Sequence, residues 1–84
     1  QIKVELGNGL RYVVPQTLNS LKDTLFSFRV NQPEEKKILI FNDGKKIIKK
    51  KFLRRVNPAE MITVKLSSSE LEGLKTLKVK LVSS

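Results

Sequence analysis

The chain contains neither histidine nor cysteine. Without histidine there is no side chain whose unperturbed pKa lies near neutrality, so the commonest proton shuttle is excluded. Without either residue there is no soft or borderline metal site and no thiol nucleophile. No disulfide can staple the fold, and the composition fits a reducing compartment, which makes the cytoplasm the expected location. No apolar run approaches the roughly 18 residues that a membrane span needs. The chain opens at Gln1 and not at methionine. The expectation is therefore a domain excised from a longer chain, which would carry no leader of its own.

What is present is positive charge. Seventeen lysines and arginines stand against eight acidic residues, a formal net charge of +9 in 84 residues. Such a balance favours an anionic partner: nucleic acid, an acidic protein face or a membrane surface. The length makes one domain, spanning 1–84. A chain this short buries only about 60–65% of the surface its unfolded form exposes, so its core must be compact.

Apolar residues alternate with polar ones almost throughout, the period of a half-buried strand. Ile2, Val4 and Leu6 alternate with Lys3 and Glu5. Gly7-Asn8-Gly9 then predicts a turn, and Leu10, Tyr12 and Val14 a return strand, together a first hairpin that Pro15 ends. Gln16 to Asp23 reads equally as a loop or a turn of helix. Phe26, Phe28 and Val30 share one face of the next strand. Lys37 to Phe41 is apolar on both faces and is expected to be the most buried strand. Asn42-Asp43-Gly44 predicts a type I′ hairpin. The return strand runs from about Lys45 to Arg54. In it Ile48 and Phe52 share one parity, and Lys49 and Lys51 the other, so those two lysines should face water. Lys50 falls on the apolar parity, which predicts an edge strand or a bulge.

Asn57-Pro58-Ala59-Glu60 is a turn, and Ile62, Val64 and Leu66 point inward from the strand after it. Ser67 and Glu70 have capping-box spacing. A helical turn would start there, be anchored by Leu71 and end at Gly73. Leu77, Val79 and Leu81 form the last strand. About seven strands with evenly spaced turns predict an all-β fold, an immunoglobulin- or fibronectin type III-like β-sandwich. The expected core is Ile2, Val4, Leu6, Tyr12, Phe26, Phe28, Val30, Ile38, Ile40, Ile62, Val64, Leu66, Leu77, Val79 and Leu81.

No stretch carries a catalytic signature. The carboxylates Glu5, Asp23, Glu34, Glu35, Asp43, Glu60, Glu70 and Glu72 sit in turns, at element ends or on polar parities, not as a fixed acid–base pair. Asn42-Asp43-Gly44 lacks the further oxygen ligands of a calcium loop. Gly7-Asn8-Gly9 lacks the third glycine and the helix of a dinucleotide fingerprint. Ser67-Ser68-Ser69 has no base to activate a nucleophile. No catalytic, cofactor or metal residue is expected within the chain.

One dense cluster remains, running from Lys45 to Arg55. Lys45, Lys46, Lys49, Lys51, Arg54 and Arg55 are the candidate interaction face, with Lys50 among them. They would neutralise phosphates, dock an acidic protein surface, or simply keep an edge strand soluble. Most aromatics fall on core parity, which weighs against base stacking. An acidic protein surface or the rest of the parent chain is therefore the expected partner, ahead of nucleic acid; a membrane is not expected.

Leu6-Gly7-Asn8-Gly9-Leu10-Arg11-Tyr12-Val13-Val14-Pro15-Gln16 resembles the opening of the C-terminal domain of bacterial FAD- and pyridine nucleotide-dependent oxidoreductases, the pyridine nucleotide-disulfide oxidoreductase group. Asn57-Pro58-Ala59-Glu60-Met61 and Leu71-Glu72-Gly73 are similar to the same domain. The resemblance implies a flavoprotein parent that uses FAD and NAD(P), with its nucleotide-binding domains and cysteine motifs upstream. None of that family's functional residues maps onto this chain. The resemblance implies a non-catalytic β domain used for packing or for assembly with partner proteins.

Overall fold

The computed structural model describes residues 1–15, 17–18 and 22–84; the side chains of 12–14, 17 and 18 lie outside that description. The elements run β1 (Ile2–Leu6), β2 (Leu10–Val14), β3 (Thr17–Leu18), β4 (Thr24–Val30), β5 (Glu34–Asn42), β6 (Ile47–Val56), β7 (Ile62–Leu66), α1 (Ser68–Leu71) and β8 (Thr76–Ser83). They form two sheets, of order β3-β1-β8-β5-β6 and β2-β4-β7. The fold is mostly β, in two layers. Among the described residues no helix is long and apolar enough to cross a membrane.

Three phenylalanines join the layers. Phe26 and Phe28 of β4 meet Phe41 of β5, with ring centroids 6.4 and 6.1 Å apart. All three are fully buried. Tilted aromatic pairs of this kind add about 0.5–1.5 kcal/mol each beyond their area. Val30, Leu39, Leu66, Leu71, Leu77 and Val79 close around them. Val4, Leu6 and Leu81, expected in the core, pack at its margin. Tyr12 lies outside the described side chains, as does part of the Gln16–Asp23 stretch, within which Thr17–Leu18 pairs with β1.

Two expectations about pairing are corrected. Gly7-Asn8-Gly9 does not close a hairpin. β1 pairs in parallel with β8, and β2 pairs with β4 in the other sheet. The turn is a corner between layers. Gly9 takes a φ of 92°, where a side chain is strained, and its carbonyl accepts the Asn31 amide at 2.9 Å. Asn42-Asp43-Gly44 does join β5 to β6, but not by a type I′ turn. Gly44 has positive φ and Asp43 does not. The Asp43 carboxylate instead accepts the Lys45 and Lys46 amides at 2.8 and 2.9 Å, which widens the loop and delays β6 to Ile47.

The β5 parity is also corrected. Leu39 and Phe41 point to the core, and Ile38 and Ile40, expected there, lie half-buried on the opposite face. Both faces of β5 are apolar, so alternation could not choose between them. On β6 a bulge opposite Phe41 and Asn42 breaks the register. Ile48 therefore packs against the core while Phe52 is exposed. Leu53 and Val56 supply the inward contacts of β6 in its place.

The capping box forms as expected. The Ser67 amide donates to Glu70 Oε1 at 2.8 Å, and the Glu70 amide to Ser67 Oγ at 3.2 Å. Asp23 reaches across to accept the Ser68 amide at 2.8 Å. The Ser67 amide, its hydroxyl and the Lys49 charge hold the Glu70 carboxyl below its ordinary value. The Ser68 amide, with Lys65 behind it, does the same for Asp23. A carboxyl depressed in the folded state stabilises it above the unfolded pKa, and that stability is lost as pH falls through the folded pKa. Melting temperature should therefore drop on acidification below the ordinary carboxylate range. Glu70→Gln should be less stable than the wild type near neutrality and should lose less on acidification. Thermal melts across that range check both; parallel curves for the two proteins would contradict the assignment.

Candidate interaction face

The large sheet buries one side against the β2-β4-β7 layer and turns the other outward. Because side chains alternate along a strand, burial of Leu39 and Phe41 on β5, Leu53 on β6, and Leu77 and Val79 on β8 sets what faces out. The outward set is Ile38, Ile40 and Asn42 on β5, Lys50, Phe52 and Arg54 on β6, and Lys78, Lys80 and Val82 on β8.

Register arranges these side chains in rows. Val82, Ile38 and Phe52 lie side by side across the three strands. The next row is Lys80, Ile40 and Lys50. Phe52 is 58% exposed. An apolar centre is thus flanked by Lys50, Arg54 and Lys80, while Lys78 at the far side stands opposite Glu5 of the neighbouring β1. Lysine stems lie along apolar neighbours while their ammonium groups stay in water. That accounts for the partial burial of Ile40 between two lysines. The arrangement suits a surface that carries an apolar anchor within a cationic rim.

The basic cluster read from the sequence divides among three places. Arg54 is on the outward face, next to Phe52. Lys45 and Lys46 are exposed in the β5–β6 loop, whose Asp43 is held below its ordinary value by the Lys46 and Lys45 amides. Lys49, Lys51 and Arg55 fall on the other parity. Lys49 was expected to face water, but it bridges the two layers. Its Nζ donates to the Lys65 carbonyl at 2.7 Å and lies 3.8 Å from Glu70 Oε1. Lys51 is exposed, as expected. Arg55 pairs with Glu35 at 2.9 Å. Phe52, Lys78 and Lys80 complete the outward face and were not among the candidates. Lys50 on the parity of Phe52 was the signal: a lysine there meant that this parity faces solvent.

Phe52→Ser should leave stability within about 0.5 kcal/mol of the wild type, because the ring is largely in water already. Urea unfolding checks this. A loss several times larger would mean that Phe52 is part of the packing and not of a docking surface.

Among the described residues no group of three or more acidic, histidine or cysteine side chains is placed to hold a metal ion. A shallow, open depression lies at the far end of β5 and β6, lined by Glu35, Lys36, Arg54 and Arg55. Its carboxylate already accepts the Arg55 guanidinium. No family model matches the chain, and neither the curated proteins nor the solved structures contain a significant match to it.

Proposed function

We propose that this chain is a non-catalytic accessory domain of a flavin- and pyridine nucleotide-dependent oxidoreductase, with an immunoglobulin-like strand arrangement, and that it docks through the outward face of β5, β6 and β8. The observation that carries the docking is the exposed Phe52 with Ile38, Ile40 and Val82 beside it and Lys50, Arg54 and Lys80 around them. An aromatic anchor inside a charged rim is the composition of a protein–protein contact. The partner surface is acidic and belongs to the parent chain or to a protein that assembles with it. The flavoenzyme parentage rests on the Gly7–Gln16 stretch and its two companions. FAD and NAD(P) would be held upstream, by residues outside this chain. Two facing sheets, between which the chain crosses at every link but that from β5 to β6, support the sandwich part of the immunoglobulin-like reading.

The coding sequence ahead of the Gln1 codon tests the parentage. A continuous frame with a strand, a glycine-rich turn and a helix, together with cysteine pairs, is expected. A start codon or signal peptide immediately upstream would overturn it.

Exposed Phe52 favours a second reading, a single-stranded nucleic-acid platform, because a ring between Lys50 and Arg54 can stack on a base. That reading requires binding of oligothymidylate at low salt that weakens steeply as salt rises. Absence of binding at low salt ends it.

A further inference from the structure

Besides its face, the large sheet offers an edge. β6 is the last strand in its order and pairs only with β5. Its ten residues make it the longest edge strand among the described ones, against five each for β2 and β7 and two for β3. Every second main-chain N–H and C=O of such a strand points away from the sheet and lacks a strand partner. An exposed edge of this length is a template for another strand unless something prevents it.

Five of the ten β6 residues are cationic: Lys49, Lys50, Lys51, Arg54 and Arg55. Lys49 is tied to Lys65 and Glu70, and Arg55 to Glu35. No described carboxylate lies within salt-bridge distance of Lys50, Lys51 or Arg54. These charges rule out one occupant and select another. A second copy of β6 laid along the first would set lysines and arginines against lysines and arginines, and like charges on adjacent strands are destabilising. An acidic strand would meet opposite charge along the same length.

We propose that the free edge of β6 takes up an extended acidic segment of a partner protein as an added strand. Its main chain pairs with the open side of Lys50–Val56. Carboxylates on its outward positions face Lys50 and Arg54. The alternate positions lie beside Lys51, Leu53 and Arg55, where one apolar residue extends the core layer next to the buried Leu53 and its neighbours lie along the stems of the two cations. Main-chain pairing supplies affinity and the alternating side chains supply selection, the division of labour in strand addition generally. The edge shares Lys50 and Arg54 with the outward face, but its main-chain pairing depends neither on the flavoenzyme parentage nor on Phe52 docking.

The test uses two capped octapeptides that alternate glutamate with valine, one of them N-methylated at every residue. They carry equal charge, but the second has no main-chain donor and cannot pair with a strand edge. Amide hydrogen exchange is followed residue by residue on the labelled domain. With the unmethylated peptide, the β6 amides that do not bond to β5 should slow by about tenfold or more at saturation. The N-methylated peptide should bind at least about tenfold more weakly, the loss expected from one or two main-chain hydrogen bonds. Lys50→Glu with Arg54→Glu should weaken the unmethylated peptide by a similar factor while the domain's own melt is retained. Equal binding of both peptides would overturn the proposal, since charge alone would then suffice. So would binding that shifts Ile38, Ile40 and Val82 but leaves the β6 amides exchanging freely, which would mean face docking. Slowing that grows with the domain's own concentration, without peptide, would assign the edge to a second copy instead. Failure of the unmethylated peptide to bind would also overturn it.

Discussion

Truncating Phe41 to alanine should cost about 3–5 kcal/mol, the usual loss for a fully buried aromatic. The Phe41 ring touches both Phe26 and Phe28 and so links the two layers. Removing it leaves a cavity between the sheets, and a small domain holds only about 5–15 kcal/mol in total. Ile40→Ala, one residue away, should cost about 1 kcal/mol, because Ile40 is half-buried on the outer face and loses only part of a burial term. Urea denaturation of the two variants measures the difference. If Ile40→Ala proved the more damaging, β5 would have the opposite parity, and the outward face described above would be the core.

Val64→Asp should abolish folding. Val64 is 5% exposed at the middle of β7, opposite Phe26 in the ladder. Val64 belongs to the buried apolar cluster, and an unpaired carboxylate there costs several kcal/mol or forces its own protonation. Thr63→Asp is the control. Thr63 is exposed on the other face of the same strand, and the same charge there should shift stability by about 0.5 kcal/mol. Far-ultraviolet circular dichroism with a thermal melt separates the outcomes. A cooperative Val64→Asp transition near the wild-type temperature would mean that β7 does not face the β5 layer.

Most strands were readable because one of their faces is plainly apolar and the other plainly polar. Ile62, Val64 and Leu66 of β7 are buried while Thr63 and Lys65 are not, as alternation requires. Ser67 and Glu70 were readable for a different reason: a capping box is local, and both partners lie within one turn of chain. Three features were not readable. β5 is apolar on both faces, so the choice between Ile38 with Ile40 and Leu39 with Phe41 falls to packing against β4. Alternation says which way a side chain points but not which strand lies alongside. The Gly7–Gly9 corner therefore read as a hairpin although β1 pairs with the distant β8. Lys50 on the apolar parity did signal an edge strand or a bulge, and β6 has both; which residue the bulge takes up was not readable, so the position of Phe52 in water depended on one residue of register. The candidate site suffered most from that dependence. A run of consecutive cations on a strand cannot share a face, and the cluster divided accordingly between Arg54 outside, Lys49 and Lys51 on the opposite parity, and Arg55 with its own acid.

The proposed docking through the outward face is tested most directly by hydroxyl-radical footprinting of the domain alone and of the same domain joined to the flavoenzyme chain that the proposed function implies. Phe52, Leu25 and Met61 are all large, exposed and oxidisable, at 58%, 62% and 46% exposure. Leu25 and Met61 lie away from the outward rows of β5, β6 and β8 and serve as internal references. The account predicts that oxidation of Phe52 falls to background in the joined protein while Leu25 and Met61 react as before. Equal oxidation of Phe52 in both forms, or protection of Leu25 and Met61 in its place, would contradict it.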